Sequence, residues 1–216
     1  MFLGHYGLGM AAKKIAPKTS LGLLLAAAQW LDILWPLFLL LGIEQVRITP
    51  NWTKLSPLEF NDYPMSHSLL MVGFWALLWW LVCTGLKVNW KNSLILAALV
   101  VSHWVLDLVV HKPDLPLTPR GLTVMGFGLW NYPIWTINLE FILLIVGFAF
   151  YMGCTTAKDK IGSIGPWVLT GSLVAIYVAT LVLPPPPSPE AIAWGGIALW
   201  VVYPLAYWID QHRKAL

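Results

Sequence analysis

Long apolar runs broken by short polar connections organise this chain. Ser20 to Ile43 is apolar almost throughout, and further runs cover about 66–86, 92–111, 133–153, 166–183 and 190–209. A helix needs ~20 mostly apolar residues to cross a bilayer, so the pattern predicts six membrane-spanning helices. The runs are continuous rather than alternating, which argues against a membrane β-barrel. Ahead of them, residues 3–15 predict a short helix, stopped near Pro17 and too short to span alone. Pro184 to Pro187, with Pro189, predict a stiff extended linker before the last span. The expected fold is all-α: a polytopic transmembrane helix bundle of about six spans plus the short N-terminal helix.

Composition sharpens this. Of the 216 residues, 58% are hydrophobic and 11% charged, against about 25% charged in a soluble domain. A water-soluble globular enzyme and a disordered chain are both excluded. The net charge of +3 is spread along the chain, so nothing points to a nucleic-acid partner. Lys13 and Lys14 follow the first apolar piece rather than precede it, unlike the charges of a signal peptide. Cys83 and Cys154 form no CxxC pair and read as structural.

Lys and Arg set the orientation. One set of connections holds Lys13, Lys14, Lys18, Lys87, Lys91, Lys158, Lys160, Arg213 and Lys214; the other holds Arg47, Lys54, Lys112 and Arg120. The bias predicts both termini in the cytoplasm and a multi-pass location in the inner (plasma) membrane. No internal repeat is visible, so a transporter built on inverted repeats gains no support.

The ionisable residues inside the apolar runs carry the candidate chemistry, since each costs about 2.5–3.5 kcal/mol to insert. His5, Asp32, His67, His103, Asp107, His111 and Glu140 all fall in the first four runs and the N-terminal segment, and the last two carry only Glu190 at a start. Residues 1–153 therefore read as the chemical unit, and 154–216 as supporting helices of the same domain. His103, Asp107 and His111 are spaced four apart, on one helical face. His and Asp at that spacing suit one shared cation, or a hydrogen-bonded pair joining helices. Asp32 lies too deep to snorkel, with no Lys or Arg in its run. His67 follows a Pro-containing turn with Ser66 as a candidate cap, and His5 is flanked by Gly4 and Gly7, which permit close helix approach. Nitrogen and oxygen ligands on several segments point to Zn²⁺ or a similar divalent ion. Haem, the competing use of paired histidines, leaves the acids unexplained.

The ordered set Gly4-His5, Asp32 followed by Pro36, Ser66-His67-Ser68 and Ser102-His103-x-x-x-Asp107 resembles the bacterial inner-membrane metal-dependent hydrolase family, distantly similar in motif pattern to zinc-dependent phospholipase C. The resemblance covers roughly residues 4–120 and implies His5, Asp32, His67, His103 and Asp107 as metal ligands. Leu34 and Trp35 stand where the family pattern has a second Asp and a His, and Asp62 stands where it has the His of H-R-G-F. The resemblance implies metal-dependent hydrolysis; a phosphoester or ester of a lipid or amphipathic molecule is the expected substrate, with Asp62 or Glu140 expected to take the proton of the attacking water. Transport of a metal ion or proton, and a purely structural or sensory role, are the other classes this composition allows.

Overall fold

The computed structural model describes all 216 residues. Helices dominate. They are α1 (Leu3–Ala11), α2 (Leu21–Ala28), α3 (Trp30–Leu40), α4 (Pro64–His67), α5 (Leu69–Gly85), α6 (Trp90–Val110), α7 (Pro133–Gly153), α8 (Lys160–Val182), α9 (Pro189–Ala198) and α10 (Val202–Gln211). Three two-stranded antiparallel ladders join the connections: β1 (Gln45–Ile48) with β2 (Leu58–Asp62), β3 (Leu115–Pro116) with β4 (Val124–Met125), and β5 (Thr155–Ala157) with β6 (Arg213–Ala215). The all-α expectation holds at the level of the helices, with these short strands added.

Six continuous spans are not found. Four helices are long and apolar enough to cross a membrane: α6, α7, α8 and the run Pro189–Gln211 made by α9 and α10. The pair α2 and α3, bent by 60°, makes a fifth candidate when taken as one broken span. The break falls at Gln29, whose φ of −103° and ψ of 12° leave the helical region. The remaining run became α5, with 17 residues, or ~25 Å at 1.5 Å per residue, short of the ~30 Å hydrocarbon core. Ser68 limits it: its extended backbone separates α4 from α5.

Local chemistry fixes several helix starts. Side chains of Ser20, Asn89, Asp159 and Ser188 accept hydrogen bonds from Leu23, Lys91, Gly162 and Ala191 at the openings of α2, α6, α8 and α9. Asp159 moves the start of α8 to Lys160, six residues before the apolar run. Pro184–Pro187 contains no helix, as its composition predicts.

Packing unites the proposed unit and its supports. One core contains Leu3, Tyr6, Leu21 and Leu144 with Leu169, Leu173, Ala206 and Ile209. α1 packs on α7, α10 on α2, and α9 on α3. Gly7 and Gly147 let the backbones of α1 and α7 touch, Gly22 receives Tyr203 and Tyr207, and Gly196 receives Pro36. A Cβ at Gly171 or Gly195 would meet nothing, whereas Gly162 and Gly165 of α8 lie close against His212 and Ile209. Outward faces carry Leu70, Phe74, Leu77, Ile142, Ile145, Val168 and Val182, an apolar surface suited to lipid.

The two ends of the bundle differ. At one, Lys13 Nζ donates to Asp210 Oδ2 at 2.6 Å and to Thr19 O at 2.8 Å, while Tyr151 donates to Asp210 Oδ1 at 3.0 Å. Arg213 reaches Thr155 there. At the other, the 50–58 loop, His111, Trp130 and Leu183–Pro187 surround one cavity.

Candidate metal centre

Four elements deliver five side chains to one point. α1 supplies His5, α3 supplies Asp32, α4 supplies His67, and α6 supplies His103 and Asp107. Asp107 is the hub. Its Oδ1 lies 3.1 Å from His5 Nε2, and its Oδ2 lies 3.1 Å from His103 Nε2 and 3.7 Å from His67 Nε2. Asp32 Oδ1 is 3.7 Å from both His67 Nε2 and His103 Nε2. The Met1 nitrogen also approaches Asp107 Oδ1, at 2.5 Å. Ligating atoms fall within 4.8 Å of one another in two overlapping sets, His5–His103–Asp107 and Asp32–His67–His103.

Neighbouring groups hold the rings. The Nδ1–H of His103 donates to Ala28 O at 2.8 Å. This carbonyl is free because α2 ends there, and the last carbonyls of a helix lack intrahelical partners. His103 Nε2 is then a bare acceptor, buried and without a hydrogen-bond partner. For His67, Ser66 Oγ donates to Glu44 Oε2 at 2.7 Å and so accepts from Nδ1 at 2.6 Å. Glu44 Oε1 also accepts from the backbone N–H groups of Met65 and Ser66. Ser66 thus serves the ring beside it rather than capping α5. Burial pushes the Glu44 carboxyl up to about 6.

The residues present fit a divalent ion. The set offers neutral-imidazole nitrogens and carboxylate oxygens, the donors Zn²⁺ and similar ions use. Two of the three rings are oriented through their other nitrogen, as metal-ligating histidines are. The cavity supplies access: it encloses about 840 Å³ and is lined by Asp32, His67 and Asp107 together with Trp35, Phe60 and Tyr177. Asp32 stays 37% exposed while His67 and Asp107 are at 4% or less, so Asp32 is the acid most open to an incoming molecule.

The two candidate proton acceptors fare differently. Asp62 is exposed at the end of β2, paired with Gln45, and makes no hydrogen bond or ion pair with the cluster. Hairpin register turns it to solvent. Glu140 lines the cavity, but its Oε1 and Oε2 accept the N–H groups of Phe2 and Gly4 at 2.8 and 2.7 Å. It thereby anchors the start of α1, which carries His5. Glu44 and the Ala28 carbonyl were not legible from sequence; Glu44 follows an apolar run and reads as an ordinary loop charge.

Comparisons of the chain with protein families, with curated proteins and with solved structures find no match. Fold and site together define a mostly helical protein with several membrane-length apolar helices around a buried His/Asp cluster.

Proposed function

We propose that this protein is an integral-membrane hydrolase that uses a divalent metal ion, most simply Zn²⁺, to cleave a phosphoester or ester of a lipid or amphipathic molecule. The observation that carries this is the clustering of His5, Asp32, His67, His103 and Asp107 in two overlapping sets, with Asp32, His67 and Asp107 lining the cavity. Either triad, His5–His103–Asp107 or Asp32–His67–His103, would hold an ion. When bound, it supplies Lewis-acid polarisation of an ester oxygen and lowers the pKa of water. The chain's own groups do the rest. Ala28 O and the Ser66–Glu44 pair fix the His103 and His67 rings. Trp35 and Phe60 offer apolar lining, and Asn51, Thr53 and Ser56 polar lining, a combination that suits an amphipathic substrate.

In this reading the protein sits in the inner membrane. The end carrying Lys13, Lys14 and Arg213 faces the cytoplasm, and the cavity opens on the opposite side. Its support is that the 50–58 loop, the start of the 111–132 connection and Leu183–Pro187, all on the Lys/Arg-poor side, gather around one cavity. The test is elemental analysis of protein purified without a metal-affinity tag, paired with turnover of a bacterial lipid extract. Near-stoichiometric metal and metal-dependent product are expected; haem absorbance, or a protein free of metal, refutes the reading.

A further inference from the structure

Neither Asp62 nor Glu140 is free to move a proton at this site, yet the cavity contains another group able to do so. His111 follows the last residue of α6 and leaves the helix with φ −65° and ψ 149°. Its ring is buried between Trp130 and Phe60, with centroids 4.2 and 4.8 Å away. Nδ1 lies 2.9 Å from Asp114 Oδ1, and the Tyr63 hydroxyl donates to that same oxygen at 3.0 Å. A carboxylate can only accept, so Nδ1 carries the proton in this pair and Nε2 is the free acceptor. Burial and the Asp114 charge push the Tyr63 phenol up, keeping it an O–H donor. His111 lines the cavity together with Asp32, His67 and Asp107, about one helical turn beyond Asp107.

We propose that His111 is the catalytic residue that moves the proton in this cavity, with Asp114 and Tyr63 as its positioning residues. The inference rests on the hydrolase reading above. Nε2 takes a proton from the attacking water as the water oxygen bonds to the phosphorus or acyl carbon. The bond to the leaving oxygen then breaks, that oxygen keeps the electron pair, and Nε2 returns the same proton to it. Ester and water become acid and alcohol, and His111 ends as it began. The arrangement follows the logic of a carboxylate-oriented histidine base.

The experiment compares wild type with H111Q, D114N and Y63F, all as full-length protein in detergent, loaded with Zn²⁺. The probe is mixed micelles of phosphatidylglycerol and phosphatidylethanolamine, with products followed by phosphorus NMR. H111Q should keep its metal and lose turnover by ~100-fold or more, within the range for a general base. D114N and Y63F should show smaller losses, and a solvent deuterium isotope effect present in wild type should vanish in H111Q. Nitrogen NMR of the wild type should show His111 protonated at Nδ1, with that signature altered in D114N. A metal-loaded H111Q that turns over at the wild-type rate overturns this inference and leaves the hydrolase reading standing. So does a His111 protonated at Nε2 alone, whatever the substrate. Wild-type protein that holds metal but cleaves neither lipid contradicts hydrolysis of these lipids, and with it the proton transfer. If H111Q fails to fold, D114N and Y63F decide the question by the same two readouts.

Discussion

The Nδ1 of His103 lies 2.8 Å from the carbonyl oxygen of Ala28, the last residue of α2. An interruption in one apolar helical run thus orients a ligand candidate on another. Had α2 continued straight into α3, that carbonyl would have been used inside the helix, and the ring would have had no such partner. The bend also starts α3 at Trp30, which places Asp32 in its first turn, 3.7 Å from His103.

Replacing a hub should empty the site. Asp107→Ala and His103→Ala are each expected to lower bound metal from near one equivalent to near none. Elemental analysis of folded protein checks this, and Asp62→Ala is the matched control. Asp62 is exposed and outside the cluster, so its loss should leave metal content unchanged and shift stability by less than about 0.5 kcal/mol.

Glu44 should impose a pH dependence. Its folded pKa of about 6 lies above the ordinary value of 4.5. The native state therefore binds more protons than the unfolded chain between those values, and stability falls as pH rises through that window. The size is about 2 kcal/mol. Glu44→Gln should flatten the curve between pH 4.5 and 6, and it should weaken metal binding roughly 10–100-fold through the loosened His67. Thermal unfolding against pH reads the first effect, and competitive metal titration the second.

Adjacent glycines in α9 should behave oppositely. A Cβ at Gly196 runs into the ring of Pro36, whereas one at Gly195 meets open space. Gly196→Ala is expected to destabilise by ~1–3 kcal/mol, and to disturb Asp32 because α9 presses on α3. Gly195→Ala should be neutral or slightly stabilising. Paired unfolding curves, with metal content measured alongside, distinguish the two.

At the opposite end, Asp210 accepts from Lys13, Leu21 and Tyr151. Asp210→Ala leaves a buried ammonium without its partner, which costs about 3–5 kcal/mol. Because this network is remote from the cluster, the protein that still folds should retain its metal. Metal loss in that folded fraction would mean the two ends are coupled.

Much of the site was legible because the signal was electrostatic. His5, Asp32, His67, His103 and Asp107 stood out as ionisable groups in apolar runs, and they meet. What escaped was backbone detail. Nothing in the run of Leu and Ala around Gln29 announces a 60° bend, since hydropathy measures composition rather than helix continuity. Ser68 likewise split a run that counting treats as one span. Glu44 was missed because partners far along the chain, not its neighbours, decide whether a loop acid is buried. Small size marks only a possible contact and the helix face decides it: of the neighbours Gly195 and Gly196, the second alone meets Pro36.

The end of α2 has one more consequence. Peptide dipoles in a helix sum to a partial negative charge at the C-terminus, and α2 ends at Ala28 beside the ring of His103. A helix running unbroken across the bilayer would have delivered that pole to the water, where solvent and salt quench it. Ending at the buried Ala28, α2 leaves it in the low-dielectric interior of the protein, where the field is least screened. The interruption therefore leaves the partial negative charge of an open α2 carbonyl beside His103, a contribution that no side-chain substitution in the cluster would remove.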